Sequence, residues 1–259
     1  MTYSYIKEEV RDKTLLITLN APEKRNALIM EMRNELLESL EQAEHDDNIR
    51  CIVLTGEGKA FSAGGDLTAL KELKALEGRK RLQASQPLMI KMLEIEKPII
   101  AAVNGAAAGA GFSLTLLCDF IVASDNAFFV QSFVNVGLVP DFAAMHFLPT
   151  LIGMQKAKEL MFLGERITAE EAERIGIVNR VVPAGSLLDE TMKIAETMAT
   201  KAPISIGMTK KIMNHHLNRD LKTLLEMEAQ GQDICFQTED FKEGVQAFFE
   251  KREPQFKGK

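Results

Sequence analysis

Cysteine is scarce: the 259-residue chain has three, Cys51, Cys118 and Cys235, far apart and with no CxxC pair. An odd, sparse set suits free thiols in a reducing compartment, and the apolar runs around Cys51 and Cys118 place both in a core. Histidine occurs four times. His45, His146, His215 and His216 show no zinc-like spacing with one another or with the cysteines, so no metal site is expected. Basic charge is not in excess either. A formal net charge of −6 argues against a broad basic face and hence against nucleic acid as a partner. The N-terminus lacks a basic region followed by an apolar one, so no signal peptide is read. Residues 98–124 are the one stretch long enough to suggest a membrane span. They contain Asn104 and Asp119 around a Gly/Ala-rich middle, which fits a strand, a turn and a buried helix better. The expectation is a cytoplasmic protein with neither nucleic acid nor membrane as partner.

What is present is a hydrophobic content of 46%, enough for a large core. Residues 14–19, 51–54, 98–103, 119–123 and 127–130 read as short strands. Between them, Asn26 is placed to cap a helix running to about residue 46, with Leu28, Met32, Leu36, Leu37 and Leu40 on one face. Alternating strands and helices indicate an α/β core. From about residue 153 the chain turns mostly helical. Thr168-Ala-Glu-Glu171 fits a capping box, residues 177–182 form a β-branched run, and helices are expected over 187–200, 203–216 and 220–251, the last broken near Gln237-Thr238. Residues 254–259 read as an exposed tail. The division is a core over 1–195 and a helical part over 196–259.

Two small-residue segments carry the chemistry. Residues 61–67, Phe-Ser-Ala-Gly-Gly-Asp-Leu, form a tight loop between a strand and a helix start near Leu67. Small residues let backbone N–H groups approach a ligand closely, and a helix start adds the positive end of a dipole. An ordinary glycine turn before an Asp-capped helix explains the same residues. Residues 104–114, Asn-Gly-Ala-Ala-Ala-Gly-Ala-Gly-Phe-Ser-Leu, repeat the arrangement and match neither a dinucleotide nor a P-loop pattern. Two such turns in one chain favour a shared function over two coincidences.

Several motifs then resemble one family. Residues 20–28 (Asn-Ala-Pro-Glu-Lys-Arg-Asn-Ala-Leu), 60–66 (Ala-Phe-Ser-Ala-Gly-Gly-Asp) and 97–105 (Lys-Pro-Ile-Ile-Ala-Ala-Val-Asn-Gly) are similar in type and order to the crotonase (enoyl-CoA hydratase/isomerase) superfamily. Cys118-Asp119, Leu163-Gly164, residues 169–172 and 176–182, Phe241-Lys-Glu-Gly244, Phe248 and Phe249 extend the resemblance over nearly the whole chain. It implies a spiral of ββα units with a helical C-terminal part used in trimerisation, as a homotrimer or a hexamer built as a dimer of trimers. It implies an acyl-CoA thioester as ligand, with coenzyme A part of the substrate and no separate cofactor. It places the thioester oxygen on the N–H groups of Ala63 and Ala110. Such donors suit an enolate, whose charge develops on that oxygen, and each is typically worth about 3–4 kcal/mol of barrier. Lys24 and Arg25 fall in the loop that passes the adenosine part. Ala27, Ser62, Gly64, Gly65, Asp66, Leu67, Ser113 and Phe133 complete the implied substrate contacts.

Hydratases of this superfamily use two glutamates. Ser113 and Phe133 stand in their places here, and neither serves as a general base. Asp141, in Gly137-Leu-Val-Pro-Asp-Phe, resembles the acid/base aspartate of bacterial phenylacetate-pathway enoyl-CoA isomerases, although a turn residue or helix cap also explains it. One base suffices to move a double bond, because it removes a proton from one carbon and returns it to another. Phe133, Phe142 and Leu138 are expected to raise its pKa by desolvation. The superfamily's chlorobenzoyl-CoA dehalogenases line an aryl pocket with tryptophan, which this chain lacks. A hydratase with a non-standard site and a catalytically weak CoA-thioester binder are the alternatives. His146 is read as a packed residue of an apolar helix.

Overall fold

In the computed structural model, residues 3–71, 74, 77–215 and 220–259 are described; His216 lies outside them. Strands β1 (Ile6–Arg11) and β2 (Thr14–Leu19) form a hairpin, and a single 3-10 turn at Pro22–Lys24 leads to α1 (Met30–His45). Then come β3 (Cys51–Gly56), β4 (Ala60–Ser62), α2 (Leu67–Lys71), α3 (Glu77–Glu94), β5 (Ile99–Val103), β6 (Ala106–Ala108) and α4 (Ala110–Thr115). After β7 (Phe120–Ser124) and β8 (Phe128–Val130) follow α5 (Ala144–Ile152), α6 (Met154–Leu163), β9 (Arg166–Thr168), α7 (Ala169–Arg174) and β10 (Arg180–Val182). Helices α8 (Leu187–Ala199), α9 (Pro203–His215), α10 (Leu221–Phe236) and α11 (Glu239–Glu250) complete the chain.

The strands sort into two sheets, ordered β1-β2-β3-β5-β7-β10 and β4-β6-β8-β9. Successive pairs β3–β4, β5–β6 and β7–β8 each give one strand to each sheet, which is the crotonase-type spiral. All pairings are parallel except β1 with β2 and β8 with β9. β5 is buried along its whole length, as a strand covered on both faces must be, and its run Ile-Ile-Ala-Ala-Val is accordingly continuous rather than alternating. Asn104 ties the step between sheets: its Oδ1 accepts from Gly56 N–H (3.2 Å) and its Nδ2 donates to the Gly58 carbonyl (3.0 Å). A side chain on Gly105 would run into the Lys59 carbonyl, so the Asn-Gly pair at this turn is structural.

One expectation needs correction. Asn26 does not cap α1, whose first turn has no side-chain cap. It sits fully buried at φ +54°, a conformation asparagine tolerates, and holds the loop from inside. Its Oδ1 accepts from Ala21 N–H (2.9 Å) and its Nδ2 donates to the carbonyls of Ala60 (2.8 Å) and Glu57 (3.0 Å). The C-terminal residues 254–259 are exposed or half-exposed, as expected, and are also tied down. The Asp240 carboxylate accepts from the N–H groups of Lys257 (2.6 Å) and Gly258 (2.7 Å), and Arg50 Nη1 donates to the Phe256 carbonyl (2.9 Å). Thr168 caps α7 through Glu171 N–H, and the break between α10 and α11 falls at Gln237-Thr238, both as expected.

Candidate active site

Pairing of β4 with β6 brings the two small-residue loops side by side, with Ala60 opposite Ala106 and Ser62 opposite Ala107. The loops beyond are in backbone-to-backbone contact. A Cβ on Gly64, at φ +88°, would meet the Ala108 carbonyl and the Ala110 nitrogen, and one on Gly111 would meet the Ser62 carbonyl. Glycine is needed at both points for closeness alone. A third segment staples them: Leu28 N–H donates to the Gly64 carbonyl (2.7 Å), and Ser62 Oγ donates to the Asn26 carbonyl (2.7 Å).

The same staple corrects one assignment. The N–H of Ala63 donates to the Arg25 carbonyl at 2.8 Å and is not available to a ligand. The N–H of Gly65, two residues on, has no acceptor among the described residues. Neither has that of Ala110, which as the first residue of α4 has no intrahelical one. Gly65 and Ala110 both line one cavity of about 1060 Å³. Paired, unsatisfied backbone donors on opposed loops form a receptacle for a carbonyl oxygen that gains charge.

The cavity gathers most of the expected residues. Lys24 and Arg25 stand on its exposed rim, where Lys24 Nζ lies 4.0 Å from the Asp66 carboxylate. Ala27, Ala63, Gly65, Asp66, Leu67, Ala110, Phe133 and Asp141 also line it. Three expected contacts do not. Ser113 is fully buried and donates to the Gly109 carbonyl of its own helix (3.1 Å), Ser62 is spent on Asn26, and Gly64 faces the Ala108 backbone. His146 is not on the cavity wall, and its ring meets Phe147 edge-on at 4.8 Å. Phe142, expected to desolvate Asp141, is buried and does not line the cavity.

Asp141 borders the cavity with its Oδ1 buried and without a hydrogen-bond partner among the described residues. Burial pushes its carboxyl above the usual aspartate range, and the charges of Arg33 and Arg81 pull it part of the way back. These arginines were not singled out in the sequence. Arg33 looks there like one more polar position on an amphipathic helix, yet it is among the largest fully buried side chains. Its guanidinium lies over the Phe142 ring, 4.9 Å from the centroid. Phe142 and Ala143 both adopt left-handed backbone (φ +52° and +59°), which costs non-glycine residues about 1–2 kcal/mol each and persists only where packing enforces it. The arginine over Phe142 is part of that enforcement, and Asp141 is held at the start of the strained pair.

Two opposed backbone donors and an unpaired carboxylate on one cavity wall are the parts that proton transfer beside a thioester requires. Residues 9–259 match the model of the enoyl-CoA hydratase/isomerase family. The chain belongs to this family. It is 37% identical over 245 residues to a short-chain-enoyl-CoA hydratase of Clostridium acetobutylicum, covering 94% of each. It is also 37% identical over 260 residues to the 1,2-epoxyphenylacetyl-CoA isomerase of Escherichia coli, covering 98% of this chain and 99% of that one. The crystal structure of an enoyl-CoA hydratase from Bacillus anthracis superimposes with a TM-score of 0.94 at 35% identity, over 99% of this chain and 100% of that one. The family's crotonase-type spiral is thereby the fold of this chain. Among the described residues there is no cluster of three or more His, Cys, Asp or Glu side chains able to hold a metal, and no helix long and apolar enough to cross a membrane.

Proposed function

We propose that this chain is an enoyl-CoA isomerase that moves a double bond along the acyl chain of a coenzyme A thioester. The N–H groups of Gly65 and Ala110 hold the thioester oxygen, and Asp141 takes a proton from one carbon and returns it to another. The enolate between the two steps is stabilised by donors that need no reorganisation. Coenzyme A enters as part of the substrate, with Lys24 and Arg25 at the rim for its phosphates, and no other cofactor is required. The supporting observation is the unpartnered Oδ1 of Asp141 on the wall that also carries the two free N–H groups. A carboxylate desolvated but not neutralised is a stronger base than one in water.

Hydration is the second reading, favoured by relatives named short-chain-enoyl-CoA hydratase and crotonyl-CoA hydratase at 37% and 36% identity. Against it stand Phe133, which carries no proton, and Ser113, which is turned into its own helix. Turnover of a 3-enoyl-CoA against a 2-enoyl-CoA, each with Asp141→Asn as control, separates the readings. Isomerisation lost in the variant is expected; hydration of the 2-enoyl-CoA with no isomerisation would overturn the proposal, and binding without either reaction would mark a thioester-binding subunit. The assembly proposed is a homotrimer, or a hexamer of two trimers. It is supported by Phe248 and Phe249 on α11, which are 79% and 77% exposed in the single chain.

A further inference from the structure

Arg33 on α1 and Arg81 on α3 both border the cavity that holds Asp141. Arg33 is only 2% exposed. Its Nε donates to the Leu28 carbonyl (2.8 Å) and its Nη1 to Ser85 Oγ (2.6 Å), while Nη2 has no partner among the described residues. Arg81 is half-buried, and its side chain makes no hydrogen bond and no ion pair among the described residues. Burial and the charge of Arg81 pull Arg33 down to about 10, so the guanidinium remains a cation at neutral pH. Asp141 is the carboxylate whose charge reaches Arg33, and it forms no ion pair with either arginine. Around Asp141 two cations thus face one carboxylate beside the apolar Leu82, Leu138, Val139 and Met145, in a cavity that also carries Glu23, Lys24, Arg25 and Asp66.

A neutral acyl group filling this space would strip water from the half-buried Arg81 and return nothing, leaving its charge desolvated without a partner. An anion in the ligand resolves the imbalance. The phosphates of coenzyme A are not suited to the task, because the exposed Lys24 and Arg25 on the rim are placed for them while Arg33 is enclosed. We propose that the acyl end of the cavity selects thioesters whose acyl chain terminates in a carboxylate, received by Arg81 and the free Nη2 of Arg33. The planar guanidinium fork matches a carboxylate in shape as well as charge. This assignment rests on the cavity being an acyl-CoA site and names the substrate class within it.

Saturated thioesters separate acyl recognition from catalysis, since they have no double bond to move or hydrate. The binding of adipyl-CoA and hexanoyl-CoA, equal in length and differing in the terminal carboxylate, is measured by calorimetry on the full chain. Adipyl-CoA is expected to bind more tightly by about tenfold or more. Arg81→Gln is expected to bring the ratio close to one, and Arg33→Lys, which keeps the charge and loses the fork, to lower it. Equal or tighter binding of hexanoyl-CoA, or a preference that survives Arg81→Gln, would overturn the proposal. A preference present in a chain that isomerises nothing supports it and sinks the isomerase reading alone.

Discussion

The N–H of Ala63 donates to the carbonyl of Arg25 over 2.8 Å, so the loop of residues 61–67 is bound to the loop that carries Lys24 and Arg25. Gly64 directly follows, pressed against the Ala108 backbone. Replacing Gly64 with alanine adds a Cβ where carbonyl and nitrogen atoms already stand and forces a residue at φ +88° into strain. The expected result is a loss of about 2–3 kcal/mol in urea unfolding. Because the loops must part, kcat should fall more than KM rises. A variant of unchanged stability and kcat would show that the loops yield freely.

As the proposed base, Asp141 should tie activity to pH, and its burial opposes stability. Its carboxyl is held above the ordinary range by burial, so the acid limb of the kcat/KM profile should lie above the usual aspartate value of 3.8, with activity rising as the carboxylate forms. The folded chain keeps a proton that the unfolded chain has released between 3.8 and the raised value, so this group favours the fold most at low pH. Its contribution is lost as pH rises through that window. Asp141→Asn should therefore melt higher than the parent at pH 7, with the gain vanishing below pH 3.8. Calorimetric melts across this range check the sign.

Lys210 of α9 reaches Asp119 just before β7, Nζ to Oδ2 2.7 Å, with the lysine side chain 4% and the aspartate side chain 23% exposed. Asp119 also accepts from Ile99 N–H (2.8 Å), so one carboxylate joins the central sheet to the helical part. Lys210→Met should cost about 1–2 kcal/mol, because it leaves a partly buried carboxylate without its cation, whereas adding Asp119→Asn should recover part of that loss. Equilibrium unfolding of both variants measures the difference.

Phe248→Glu should lower the oligomeric state by charging the most exposed aromatic face of α11. Light scattering reads the mass directly. An unchanged mass would remove this face from the assembly.

Much of this was legible in the sequence because it depends on local rules. The strands at 14–19, 51–56 and 99–103 are continuous apolar runs, and Thr168 is a capping threonine with its glutamate in place. β1 escaped because Ile6-Lys-Glu-Glu-Val-Arg is an edge strand of charged residues. β4, β6 and β9 are three residues long, too short to show a period, and two of them are built largely of small residues. Gly65 rather than Ala63 as a free donor, and Arg33 as a buried cation, are facts about partners distant in sequence. No spacing reveals which carbonyl an N–H has already found.

The carboxylate of Asp240 has its own consequence. At 3% exposure, its hydrogen bonds to Lys257 and Gly258 are its means of remaining buried in the first turn of α11. A carboxypeptidase that trims past Gln255 would therefore leave an orphaned charge at the base of the helix that presents Phe248 and Phe249. The state of these last residues and the capacity of the chain to self-associate become one property. Proteolytic wear at a terminus would be read out, about two turns away, as a change in assembly.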